Sequence, residues 1–140
     1  MVLPDTKIYK ALSSNAELIK TIQSMRQTST DAPMIFNQSI PEGYQASKFA
    51  PLVRVNYVGS TYRASDDDQS VLRPQVLVSF WTNKLSQGEK LLPIIKHTLR
   101  DINYYPYSEN HEEDPDTGDQ LENRMYIFRV YVHGIEIEEE

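Results

Sequence analysis

The 140-residue chain contains no cysteine, which rules out a disulfide framework, a thiolate metal site and a cysteine nucleophile. Glycine is scarce, with five residues, and the backbone therefore has few places to wrap a phosphate. No Gly-x-Ser-x-Gly elbow, phosphate-binding loop or glycine-rich dinucleotide fingerprint occurs. No apolar run approaches the roughly 20 residues of a membrane span, and the first residues lack the basic-then-apolar pattern of a secretory leader. The sequence predicts no membrane association, and the sequon Asn37-Gln38-Ser39 reads as chance. Runs of lysine or arginine are also missing. Twenty acidic against 14 basic residues give a net charge of −6, which argues against specific nucleic-acid binding.

What is present is an ordinary globular composition, 39% hydrophobic and 24% charged. Its length suits one hydrophobic core, read as a single domain over 1–140. From Asp5 the pattern is helical, with Asp5 or Thr6 as cap and Ile8 and Leu12 on one face. Asn15 offers a second cap ahead of Leu18, Ile19 and Ile22, as one kinked helix or two. Met34-Ile35-Phe36 predicts a short strand, and Leu52 to Val58 alternates with Val53, Val55 and Tyr57 on one side. Residues 59–70, with Asp66-Asp67-Asp68, carry no apolar periodicity and read as an exposed mobile loop. Gln75 to Thr82 is rich in β-branched and aromatic residues and reads as the most central strand.

Ser86-Gln87-Gly88-Glu89 has the spacing of a capping box. Leu91, Ile95, Leu99 and Ile102 mark the apolar face of the helix that follows, with Pro93 bending its first turn or delaying its start to about Lys90. Tyr104-Tyr105-Pro106-Tyr107 predicts an extended edge piece, Asp114 to Asp119 a chain reversal, and Met125 to His133 a long alternating strand. The element order predicts an α+β fold: an antiparallel or mixed sheet of about four strands, with one long helix and an N-terminal helix packed on one face. Residues 134–140 form an acidic C-terminal tail. Its alternating Ile135 and Ile137 could add a strand to a neighbour's sheet edge, or the tail could simply fray.

Candidate chemistry is sparse. His97, His111 and His133 fall on three different elements with no metal-ligand spacing. The acidic stretch from His111 to Asp119 departs from the calcium-loop pattern in its glycine position, and Pro115 stiffens it. The three aspartates at 66–68 repel one another. No catalytic, cofactor or metal residue is assigned. Interface candidates are Tyr62, Arg63, Asp66, Asp67, Asp68, Tyr104, Tyr105, Tyr107, Ile135 and Ile137, because tyrosine buries apolar area while keeping a polar tip.

Several segments in this order resemble a known family. A helix precedes Ala50-Pro51-Leu52-Val53-Arg54-Val55; the strand Gln75-Val76-Leu77-Val78-Ser79-Phe80-Trp81 leads into a helix from Lys90 to Ile102. Glu113-Asp114-Pro115-Asp116-Thr117-Gly118 then precedes the strand Arg124 to Tyr131. Together they are similar to the tail-completion or tail-terminator proteins of long-tailed bacteriophages, small α+β proteins of the head-tail joining genes. The resemblance implies a structural role in the virion after assembly in the host cytoplasm. It further implies a homo-oligomeric ring, usually of six copies, that caps the tail tube and contacts head-connector proteins. No enzymatic step or cofactor would be involved. An acidic lumen would let DNA pass without sticking, and loop 59–70 and the termini would supply contacts. Two other classes stay open: a monomeric protein-binding adaptor or regulatory module, and a small enzyme with His97 or His133 beside a carboxylate.

Overall fold

The structure is a computed structural model, and it describes residues 2–27, 30–64, 70–118 and 124–138. Helices α1 (Pro4–Ser13) and α2 (Ala16–Met25) open the chain, followed by strand β1 (Ile35–Asn37) and two 3₁₀ turns, Glu42–Tyr44 and Ser47–Phe49. Next come β2 (Leu52–Ala64), β3 (Ser70–Thr82), α3 (Leu85–Asp101), β4 (Tyr104–Gly118), β5 (Arg124–Gly134) and β6 (Glu136–Glu138). The strands lie in the order β1-β2-β3-β5-β4, with β6 also paired to β3. All pairings are antiparallel except β1 with β2. The α+β class and mixed sheet are as expected, but the sheet is five strands across rather than about four, and the short β6 is an addition.

The helices begin where backbone chemistry allows. Pro4 occupies the first turn of α1, where its missing N–H costs nothing, and Leu3 is the N-cap. Asp5 is therefore inside the helix, where its charge suits the positive dipole end, and it accepts a hydrogen bond from Gln38 Nε2. Asn15 caps α2 as its sequence position suggests, its Oδ1 accepting from Leu18 N–H at 3.1 Å. Its amide also donates to Thr98 Oγ1 at 2.6 Å, tying α2 to α3. The break at Ser14 makes two helices rather than one kinked helix.

The capping box at Ser86 is not used. Helix α3 starts one residue earlier and makes no side-chain cap; instead Gln87 Oε1 reaches back to Asn83 N–H at 3.1 Å. Pro93 then lies inside the helix. The helix stops at Asn103, which takes a left-handed φ of 64°, a conformation asparagine tolerates. A second left-handed residue, Gln38 at φ 78°, is fixed from several sides. Its N–H donates to Val55 O at 2.8 Å, its carbonyl accepts from Asn56 Nδ2 at 2.7 Å, and its side chain holds Asp5. This pinned residue turns the chain from β1 towards the face opposite the helices.

All three helices cover one sheet face. Ile8, Leu12, Leu18, Ile22, Leu91, Ile95 and Leu99 meet Val53, Val55, Val76, Val78, Phe80, Phe128, Val130 and Val132 in the main core. Phe80 and Phe128 stack at 5.0 Å with planes 5° apart. Gly88 is the helical residue above them, and a Cβ there would fall 2.1 Å from the Phe128 ring. The helix approaches the sheet closely because this position has no side chain. A smaller second core on the opposite face gathers Phe36, Ile40, Ala50, Leu52, Trp81, Met125 and Ile127 under Tyr44 and Phe49 of the 3₁₀ turns.

Two expectations are corrected. Residues 59–64 and Ser70 are strand rather than loop, paired residue for residue from Gly59↔Gln75 to Ala64↔Ser70. Backbone pairing with β3, and not an apolar alternation of its own, makes this segment a strand. Asp66, Asp67 and Asp68 lie outside the described residues. The chain reversal expected at Asp114 to Asp119 is displaced: β4 continues to Gly118, where it still pairs with Arg124 of the antiparallel β5, and the acidic stretch from His111 to Gly118 is edge strand, on which charge discourages further pairing.

Candidate functional site

Among the described residues, no group of three or more histidines, aspartates or glutamates could hold a metal ion, and no helix is long and apolar enough to cross a membrane. His97 lies 3.6 Å from Asp101 on the exposed side of α3, His111 stacks on Phe128 at 5.3 Å, and His133 lies among tyrosines. The feature that stands out is the sheet face turned away from the helices. Its residues are set by the two-residue period of β2, β3, β5 and β4, which sends alternate side chains away from the main core.

This open face has three zones. At one end the 3₁₀ segment roofs Leu52, Trp81 and Ile127. Next comes a polar row across four strands, Arg54↔Ser79↔Arg129↔Asn110. Arg129 Nη1 donates to Asn110 Oδ1 at 3.1 Å and lies 3.0 Å from Glu112 Oε1. The Arg54 guanidinium lies 4.9 Å from the Trp81 ring centroid, and the Trp81 indole N–H donates to Asp114 Oδ2 at 2.8 Å. Burial lowers the pKa of Arg54 and the charge of Arg129 acts in the same direction, while Asp114 opposes both. Between the roof and the row lies a cleft of about 260 Å³, lined by Ile40, Leu52, Met125 and Ile127 together with the polar groups.

The third zone is aromatic. Tyr105 pairs with His133 and Ser108 with Tyr131, and an irregularity between Pro106 and Ser108 gives β4 an extra residue at Tyr107. Such a bulge re-aims a side chain, and the Tyr107 ring lies 6.2 Å from Tyr131 and 6.0 Å from His133. Tyr105 and Tyr107 remain 42% and 50% exposed.

The sequence-derived interface candidates therefore separate into groups. Tyr105 and Tyr107 come together on the open face. Tyr104 points the other way and is 1% exposed, its ring held close over Gly134, where a Cβ would meet it at 2.7 Å. It offers no surface to a partner, because successive strand residues face opposite sides. Arg63, Val71 and Ile137 fall in one row of the β2–β3–β6 ribbon, with Tyr62 one position along opposite Leu72. Ile137 thus pairs within its own chain rather than with a neighbour's edge or in a frayed tail. Ile135, between β5 and β6, is 52% exposed.

Tyr131, His133, Arg54, Arg129 and Trp81 were not among the candidates. The two-residue period of β5 puts Arg129, Tyr131 and His133 on one side of the strand, but only strand order shows what lies beside them.

No family model matches the chain. The α subunit of DNA-directed RNA polymerase from Rhodomonas salina is 33% identical over 86 residues, covering 56% of this chain and 25% of that subunit. The chain thus spans about a quarter of that relative's length. Among solved structures, a chain from the virion of a native gene transfer agent particle superimposes with a TM-score of 0.56. The overlap covers 92% of this chain and 91% of that one at 11% identity. The likeness is one of fold.

Proposed function

We propose that this protein is a structural component of a phage-like virion, and more narrowly a tail-completion or tail-terminator protein. In that role it would assemble as a homo-oligomeric ring that caps the tail tube and meets head-connector proteins, with no catalytic step. The observation that carries the reading is the near end-to-end fold overlap with a virion-particle chain, which agrees with the segment order that resembles the tail-terminator family. The exposed aromatic patch of Tyr105 and Tyr107 would supply heterologous contacts by which a ring closes. The net charge of −6 suits a lumen that lets DNA through. The local match to a polymerase subunit covers a quarter of that protein and lends no activity to this one.

Light scattering over a concentration series, with and without a tail-tube protein, tests this reading. A discrete mass near six protomers of 16.2 kDa, alone or on the tube, is the expected result. A protein that stays monomeric in both conditions would leave the adaptor reading in its place.

A further inference from the structure

The sheet leaves two lateral edges uncovered. β4 pairs only with β5, and β1 covers β2 only at Val53, Arg54 and Val55, so among the described residues no strand flanks β2 on that side from Asn56 onwards. Each edge carries a bulge at the same height. The row Tyr57↔Val76↔Val132↔Pro106 crosses the four strands; Val58 is the extra residue that follows it on β2, and Tyr107 the one that follows it on β4. Both bulges show apolar surface. Tyr57 and Val58 are 44% and 50% exposed at one end of the row, and the exposed rings of Tyr105 and Tyr107 stand at the other.

An uncovered edge strand is a template for a second chain unless charge guards it. Neither edge is guarded here: β2 has no charged residue from Asn56 to Tyr62, and β4 has none from Tyr104 to Ser108, its carboxylates starting at Glu109. Strand direction favours one neighbour. Successive strands in the order β2, β3, β5, β4 are antiparallel, so the two outer ones run oppositely. A second copy set alongside in the same orientation brings its β4 antiparallel to β2 of the first, with the bulges level. Charge agrees with that placement. The row Asn37↔Val55↔Val78↔Val130↔Glu109 links β1 to the first β4 carboxylate, and α1, packed against Ile35 of β1, turns Lys7 and Lys10 to solvent. Glu109 and Glu112 have partners within the chain, Lys96 and Arg129, so these lysines would orient the approach rather than form fixed ion pairs. Pairing β4 with β4 would instead set carboxylates against carboxylates.

We propose that the Tyr105–Tyr107 edge of β4 docks on the Tyr57–Val58 edge of β2 in a second copy of the chain, a head-to-tail contact in which each copy uses both edges. This contact presupposes the ring proposed above and names the surfaces that would close it.

Because the chain has no cysteine, single introduced thiols report the contact without background. Val58→Cys and Tyr107→Cys are treated with a short bismaleimide, each alone and as an equimolar mixture, with and without a tail-tube protein. Thermal midpoints matching the parent show that both variants fold; Tyr57→Cys and Tyr105→Cys replace either one that does not. A covalent dimer of twice the 16.2 kDa chain is expected in the mixture and in neither variant alone. A dimer in Val58→Cys alone or Tyr107→Cys alone means that like edges meet about a two-fold axis, and overturns the proposal. A mixture that gives no dimer in either condition also overturns it, and the light-scattering mass of the unmodified protein then separates two failures. A discrete oligomer keeps the ring and moves its contact elsewhere; a monomer, alone and with the tail-tube protein, removes both.

Discussion

The two faces of the sheet are built from the same strands and do different work. On the helix side, Val53, Val55, Val76, Val78, Phe80, Val130 and Val132 are all fully buried, and three helices close over them. On the other side only one end is roofed, by residues that follow β1, and the rest presents arginines, a buried serine and a patch of tyrosines. Stability is concentrated where the faces are sealed. Tyr105 and Tyr107 stay exposed where one is not, which is where a partner has something to gain.

The sharpest way to break this contrast is to damage the sealed face. Phe80→Ala removes a ring stacked at 5.0 Å on Phe128 and should cost about 3–5 kcal/mol, read from urea unfolding. A loss under ~1 kcal/mol, far below the usual range for such a truncation, would mean that the core repacks freely and that the two faces differ less than described. Gly88→Ala adds a single methyl at a point 2.1 Å from the Phe128 ring, a ring also pressed by His111 on its edge strand. Overpacking of about 2–3 kcal/mol should outweigh the ~1 kcal/mol alanine gains over glycine in a helix, so the thermal midpoint should fall. A rise would show that the ring can turn aside. At the small end, Tyr107→Ser on the open face should shift stability by no more than about 0.5 kcal/mol while weakening any self-association seen by sedimentation. A large loss of stability there would make the aromatic patch a third core.

Much of the sealed face was legible in the sequence, because helical and strand periods mark it directly. Leu91, Ile95 and Leu99 repeat at helical spacing, β5 alternates without interruption, Asn15 precedes its helix in cap position, and Pro106 signals the edge that β4 occupies. The ribbon was not legible: residues 59–64 carry no apolar alternation, and their strand structure comes with the pairing to β3, which local sequence does not encode. The extension of β4 through its acidic stretch hid for the same reason. Helix starts were misplaced where a local rule met a better one, Pro4 over Asp5 and the Gln87 reach-back over the Ser86 box.

The open face was half legible. Period-two reasoning alone separates Tyr104 from Tyr105, and the alternation of β5 set Arg129, Tyr131 and His133 on one side. That Arg54 and Arg129 flank Ser79 depends on β5 inserting between β3 and β4, an order that local sequence does not encode.

The place of β3 also has a consequence for how the chain is made. Its apolar residues, Val76, Val78 and Phe80, are covered on one edge by β2, which is synthesised before it, and on the other by β5, which pairs through Phe128, Val130 and Val132. Translation delivers about 5–20 residues each second, so for several seconds a nascent chain carries its most hydrophobic strand with one edge open. Crowded polysomes making many copies at once would be the setting in which that edge finds the wrong neighbour, and chaperone demand should peak before β5 emerges rather than after release.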